Sequence, residues 1–306
     1  MCESSERLSH GRTKQCWLTN HVPMNPNSAP NRPDDYERKL VHYATAEAHS
    51  VAEAFGKALG LLEAWRTTGE SYVWFRGVID RSHSLLPGAY WRKDYDETDP
   101  LITFAQEGAP FVEVTNYNTW EAYYLAQHHG IPTRLLDWTE SFLAALFFAL
   151  DNWNERSIPC IWMLQPNLVN RAFMGWEGVL APENLQEVRG WLPKPVSDKD
   201  AVIVTDAQGF SYDNTYPLAI YPRRANRRLA AQRGVFTVHG RDRRPLDQLL
   251  AAKSPSSLRT QMARLDLCFA NKAEAMSHLS LLGGRRSSVY PDVDNFVREL
   301  RESFKW

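Results

Sequence analysis

Tyr72-Val73-Trp74-Phe75-Arg76-Gly77-Val78 decides how this chain is read, because it sets one arginine inside an apolar, aromatic run of strand character. Alternation of period two places Tyr72, Trp74, Arg76 and Val78 on one face of a strand. A guanidinium among rings needs an anion or a set of acceptors to offset its desolvation. Gly77, with no Cβ, lets a neighbour approach the backbone closely. Two readings follow from this segment. Either an anion or nucleotide site begins here, or Arg76 ends an edge strand and pairs with a surface carboxylate, a contact worth little.

Working outward, Val51, Phe55, Leu59, Leu62 and Trp65 recur at helical spacing, so a helix is predicted from about residue 46, ending near Thr67 to Gly69. Residues 1–45, punctuated by Pro23, Pro26, Pro30 and Pro33, read as a polar N-terminal arm, and 46–306 as one domain. Downstream, Asn118 with Glu121 has the form of a capping box opening a helix through Trp120, Tyr124 and His128, closed by Gly130 and Pro132. A short strand follows over 133–139, then Phe142 to Leu150, apolar nearly all round and therefore central. Further strands are predicted at 158–164, 201–205, 216–221 and 235–238. Asn271 with Glu274 opens a late helix ending at Gly283-Gly284, and 293–304 carries an amphipathic stripe. The pattern predicts a single α+β domain, a central and mainly antiparallel sheet flanked by helices.

A chain of 306 residues, 43% hydrophobic with eleven Trp, can bury a sizeable core. Its net charge of -1 excludes wholesale basicity, yet eight arginines lie between Arg223 and Arg244 against Asp242 alone, which predicts a locally positive surface. Cys2, Cys16, Cys160 and Cys268 lack CxxC spacing, so neither a disulfide framework nor a zinc site is indicated, and no metal ligands are assigned. No apolar run approaches a membrane span, and the first residues lack the apolar core of a signal peptide. A soluble, cytoplasmic protein without membrane contact is expected. GxGxxG, GxxxxGK[ST], HExxH and GxSxG are all missing, so Rossmann, P-loop, zincin and α/β-hydrolase chemistries have no support.

The densest polar cluster runs from Gln127 to Ser141 and includes His128, Arg134, Asp137, Thr139, Glu140 and Ser141. On one reading Asp137, Thr139 and Ser141 line a pocket at a helix N-terminus, where N–H groups favour a phosphate. On the other, Asp137 and Glu140 form a capping box for the Phe142 helix and Arg134 pairs with Asp137. His128 sits where a protonated imidazole would suit the helix dipole. A second cluster, 222–237, combines arginines with an amide; Arg228 and Gln232, four apart beside an apolar strand, are the pair most suited to a specific target.

Trp74-Phe75-Arg76-Gly77, the motif 127–139, and Arg228 with Gln232-Arg233-Gly234-Val235-Phe236-Thr237, closed by Tyr290-Pro291-Asp292, together resemble the FRG domain, named for its Phe-Arg-Gly signature. The resemblance spans roughly residues 50–300. The layout is also similar to the ADP-ribosyltransferases, which carry an arginine on one strand, a Ser/Thr pair on a second and a glutamate on a later one. That likeness implies an ADP-ribosyltransferase-like fold and an effector of toxin or phage-defence type. NAD is then the substrate, with Arg76, Asp137, Thr139 and Gln232 as catalytic candidates and Arg76, Gly77, His128, Arg134, Thr139, Ser141 and Arg228 around the nucleotide. Gln232 stands where the glutamate is expected, and a neutral amide cannot stabilise a cationic ribose as a carboxylate does. A transferase using Asp137 or Glu140 instead, an enzyme of altered acceptor chemistry and a non-catalytic nucleotide or nucleic-acid binding module all remain open, with a nuclease as a third class. The segment Arg223 to Arg244 is the expected contact for a nucleic-acid or acidic protein acceptor.

Overall fold

The computed structural model describes residues 43–66, 72–108, 110–111, 119–193 and 203–306, and Leu40–Trp306 form one compact unit. Strand β1 (Ala44–Ala48) precedes helix α1 (Val51–Arg66), so the sheet already includes Ala44 and Thr45 ahead of the boundary expected from composition. β2 (Trp74–Val78) is followed by a long connection to α2 (Thr98–Glu107), then α3 (Trp120–His128), β3 (Leu135–Thr139), α4 (Phe142–Asp151), β4 (Cys160–Leu164) and α5 (Asn167–Met174). After two short 3-10 turns come β5 (Ile203–Thr205), β6 (Ser211–Asp213), β7 (Leu218–Ile220), α6 (Arg227–Ala231) and β8 (Gly234–Val238). The chain continues with α7 (Leu246–Lys253), α8 (Pro255–Gln261), β9 (Met262–Leu267), α9 (Lys272–Leu281), α10 (Arg286–Val289) and α11 (Val293–Phe304).

Seven strands form one sheet in the order β1-β9-β4-β2-β3-β8-β7, with β5 and β6 a separate hairpin. All pairs in the large sheet are antiparallel except β1 with β9, so the fold is α+β with a mainly antiparallel sheet, as expected. β9 was not legible: Met262-Ala263-Arg264-Leu265-Asp266-Leu267 interrupts its apolar residues with two charges, which are held inside by one another.

α4 explains its uniform apolarity. Ala145, Leu146, Ala149 and Leu150 pack against Phe75, Ile161, Met163 and Leu265 on one sheet face, where α1 and α9 add Ala54, Ala58 and Leu279. The opposite face presents Trp74, Trp162, Leu136 and Trp138 to Leu168, Leu246 and Leu258. The α4 cap is Ser141, whose Oγ accepts from the Ala144 N–H at 3.3 Å, so the expected Asp137/Glu140 box does not form: Asp137 lies within the strand, too far back to reach the first turn. At α3, Thr119 accepts from the Ala122 N–H; Asn118, expected there, lies outside the described residues, as do Thr67 to Gly69. Asn271 caps α9 through the Glu274 N–H as predicted, and Gly283, at φ +86°, ends it.

Candidate functional site

β2 lies between β4 and β3 but bonds to them unequally. With β4 it pairs along its whole length, whereas its ladder with β3 holds only at Phe75 and Thr139. Two residues on, where Gly77 would face Asp137, the Asp137 carbonyl accepts from Arg76 Nη1 at 2.7 Å. The guanidinium thus fills a fork in the sheet. Its ion pair with the Asp137 carboxylate is long, 4.0 Å, and Asp137 is 59% exposed against 22% for Arg76, so the pair adds little stability. Burial pushes the Arg76 pKa down and the nearby aspartate pushes it back up. The other Arg76 N–H groups have no protein partner among the described residues. An arginine offering free donors at a break in a sheet is what an anion site requires.

Asp137 also accepts from Gln127 Nε2 at 2.9 Å, which fixes its carboxylate to the end of α3. The alternative carboxylate, Glu140, is engaged elsewhere: it takes a proton donor from Tyr221 (2.5 Å) and an ion pair from Arg224 (2.5 Å), and these hold its pKa down against the effect of burial. Thr139 is 2% exposed; its Oγ1 donates to the Gln232 carbonyl at 2.5 Å and accepts from the Ser141 N–H at 2.9 Å. Gln232 Nε2 in turn donates to the Val289 carbonyl at 3.2 Å. Arg76, Asp137, Thr139 and Gln232 therefore do lie in one region, but Thr139 and Gln232 brace β3, α6 and α10 together, and Ser141 caps a helix.

Three expectations are corrected. Gly77 serves packing: a Cβ there would stand 1.8 Å from the Ala145 carbonyl oxygen, so the group that comes close is the backbone of α4, not a ligand. Arg134 does not pair with Asp137; it is buried against Glu97 (Nε to Oε1, 2.5 Å) and also donates to the Trp191 and His239 carbonyls, which consumes its fork. His128 is not cationic at the helix end, because burial and the field of Arg228 bring its pKa down to about 4.

Arg228 has no ion pair or hydrogen bond through its guanidinium among the described residues; it lies over the Tyr290 ring, 4.7 Å from the centroid. Burial and the charge of Arg228 lower the pKa of both His128 and His129, while burial raises that of Tyr290 with Arg228 opposing it. The FRG domain family model matches residues 71–157, a stretch holding Arg76, Asp137 and the motif 127–139. The chain carries an FRG domain. No curated protein and no solved structure matches it. The match stops short of Arg228, Gln232 and Tyr290, which join the FRG segment only through the fold.

The arginine-rich segment is divided by that fold. Arg223, Arg224, Arg227, Arg228 and Arg233 precede β8, and Arg241, Arg243 and Arg244 follow it, roughly 16 Å away along a five-residue strand. One continuous basic surface is therefore replaced by two groups, and Arg224 and Arg244 are paired with Glu140 and Asp242. Two residues near Arg76 and Asp137 carried no site role in the sequence. Gln127 stood as one polar residue of its motif among many, yet it holds the Asp137 carboxylate; His83, in the loop after β2, has its pKa lowered by burial and by the charge of Arg76, with Asp80 opposing them.

Proposed function

We propose that the fork between β2 and β3 binds a nucleotide of the NAD class and that the protein transfers its ADP-ribosyl group to a nucleic-acid or protein acceptor. What carries the reading is Arg76, a half-buried guanidinium with unused donors, directly beside an accessible carboxylate, Asp137. Arg76 would hold the ligand's phosphates through charge-assisted bonds. Asp137 would face the ribose. There the C1′–N bond breaks with both electrons leaving on nicotinamide, which departs neutral, and the ribose develops positive charge that a carboxylate stabilises. The acceptor nucleophile then bonds to C1′ and gives up its proton to Asp137 or solvent. Exposed Arg223, Arg227 and Arg233, ahead of β8, are the acceptor contact in this scheme.

A second reading, binding without turnover, draws on a different observation: Thr139 and Gln232, where hydroxyl and carboxylate chemistry were expected, are engaged in internal hydrogen bonds. A nuclease draws no support, since no group of three or more His, Cys, Asp or Glu that could hold a metal occurs among the described residues. Incubation with labelled NAD and cell extract separates the first two. Nicotinamide release and label transfer lost in Arg76→Ala and Asp137→Asn support the transferase. Nucleotide binding that depends on Arg76 with no turnover favours the binder, and the absence of any nucleotide binding removes both.

A further inference from the structure

A cleft of about 380 Å³ lies beside the start of β2, with aromatic walls from Tyr72, Trp74 and Tyr221, an apolar side from Pro166 and Val179, and one amide from Asn167. Neither Arg76 nor Asp137 lines it, so it is separate from the fork. Its volume falls in the range of small-molecule sites. Trp74, 1% exposed, is its buried end, and Tyr72, 64% exposed, stands at the surface. Tyr221 is fixed by several contacts. Its N–H donates to the Leu180 carbonyl, its hydroxyl donates to Glu140 Oε1 at 2.5 Å, and the Arg224 guanidinium lies 5.1 Å from its ring centroid. The cleft is thus a preformed space with one rigid aromatic wall, and an exposed tyrosine at its mouth gains the fold nothing.

No charged residue lines the cleft, so the group that suits it is uncharged and flat enough to lie against rings. Asn167, the first residue of α5, adds a polar contact: its side-chain amide offers two donors and an acceptor, and none of them has a partner among the described residues. Positive charge stands just outside, on the Tyr221 wall. Arg224 Nη2 donates to the Tyr221 hydroxyl at 3.1 Å, and Arg233 Nε lies 3.6 Å from the Glu140 carboxylate to which that hydroxyl is bonded. Arg223 follows Tyr221 by two positions and is exposed, as is the Arg233 side chain. Against these three arginines stand Glu140 and Glu183, the latter accepting from the Arg223 N–H, while Glu177, beside Gly178 at the cleft, is paired with Arg171. The flank is therefore net positive. Rings that take a base, next to arginines that take phosphate, are the combination by which single strands are bound. An aliphatic ligand would leave both Asn167 and the arginines without a role. We propose that this cleft holds one unpaired base of a single-stranded nucleic acid, with the base against Tyr72 and Tyr221, its edge on Asn167, and the flanking phosphates on Arg223 and Arg233. The site lies outside the fork and goes beyond its nucleotide reading; in the transfer scheme it selects nucleic acid over protein as the acceptor.

Fluorescence anisotropy on the full chain tests this with a labelled single-stranded oligonucleotide, an abasic strand of the same length, the annealed duplex, and AMP as a competitor. The intact single strand is expected to bind at least about 5-fold more tightly than the abasic strand or the duplex, the gain from stacking one base on a ring. Tyr72→Ala should weaken the intact strand by a similar factor, and Tyr72→Phe, which keeps the ring, should not. Tyr72 is exposed, so neither change disturbs the core, and melting curves check that both variants fold. Arg223→Ala should weaken intact and abasic strands alike and reduce the slope of log affinity against log salt by about 0.7. The proposal is overturned by an abasic strand or duplex that binds as tightly as the single strand, by an unchanged affinity in folded Tyr72→Ala, or by an unchanged salt slope in Arg223→Ala. AMP that displaces the strand as effectively as unlabelled oligonucleotide also overturns it, and assigns the cleft to a free nucleotide. Nicotinamide release without strand binding that depends on Tyr72 removes this site and leaves the transferase; such binding without nicotinamide release does the reverse.

Discussion

Replacing Gly77 by alanine distinguishes two accounts of the Phe-Arg-Gly signature. The added Cβ would lie 1.8 Å from the Ala145 oxygen, 2.7 Å from the Ala149 nitrogen and 2.8 Å from the Ala145 carbon. All three are backbone atoms, so no side chain can swing away. To reach 3.0 Å from that oxygen, β2 or α4 must retreat by about 1.2 Å, yet β2 is held by five register pairs to β4 and α4 is wedged in the core. Overpacking costs about 1–3 kcal/mol, and a backbone clash belongs at the top of that range or beyond it. A loss of about 3 kcal/mol corresponds to a fall of roughly 6–12 °C in Tm for a domain of this size. Gly56→Ala is the control: Gly56 sits inside α1 with nothing within 4 Å of the added methyl, so it should stabilise by about 0.5–1 kcal/mol. Thermal melting followed by circular dichroism reads both. A Gly77→Ala protein melting within about 2 °C of wild type refutes the packing argument, and if nucleotide binding were lost at the same time, the glycine would be there for a ligand after all.

Acid should weaken the fold through His239. Both its nitrogens are buried without a partner, and burial together with Arg134 brings its pKa down to about 3. A depressed histidine leaves the unfolded chain binding more protons between pH 6.5 and about 3, so stability is full above that window and falls as pH drops through it, by up to about 5 kcal/mol. His239→Phe should flatten the acid limb of urea-melting midpoints against pH, and an unchanged limb would contradict this. Glu97→Gln leaves Arg134 buried without its counter-charge and should cost about 3–5 kcal/mol in denaturant unfolding; a cost below about 1 kcal/mol would mean that Arg134 finds another anion. Thr139→Val removes the bonds to Gln232 and Ser141 and should cost about 1–3 kcal/mol while leaving nucleotide affinity within a few-fold of wild type; a selective loss of affinity would return Thr139 to the ligand.

Much of the fold was local and therefore legible. The apolar run of α4, the strand around Arg76 and the Asn271 cap each follow from residues a few positions apart. β9 escaped because its charges Arg264 and Asp266 neutralise each other inside the sheet, which alternation cannot anticipate. In the site, the sequence alone singled out Arg76 as an arginine in need of a partner, since no apolar strand carries a guanidinium without something to satisfy it. Which neighbours would satisfy it was a tertiary matter. Asp137, Glu140, Thr139 and Arg134 lie within six residues of one another and offered the same polar chemistry, but strand alternation and packing sent them different ways. Arg134 went to Glu97, Glu140 to Arg224 and Thr139 to the Gln232 carbonyl, leaving Asp137 at the fork. Tyr290, more than a hundred positions from Phe147 and Phe148, meets their rings only because α10 packs on α4. Contacts of such separation are set by how helices and strands bury their apolar faces, and a linear pattern does not contain them.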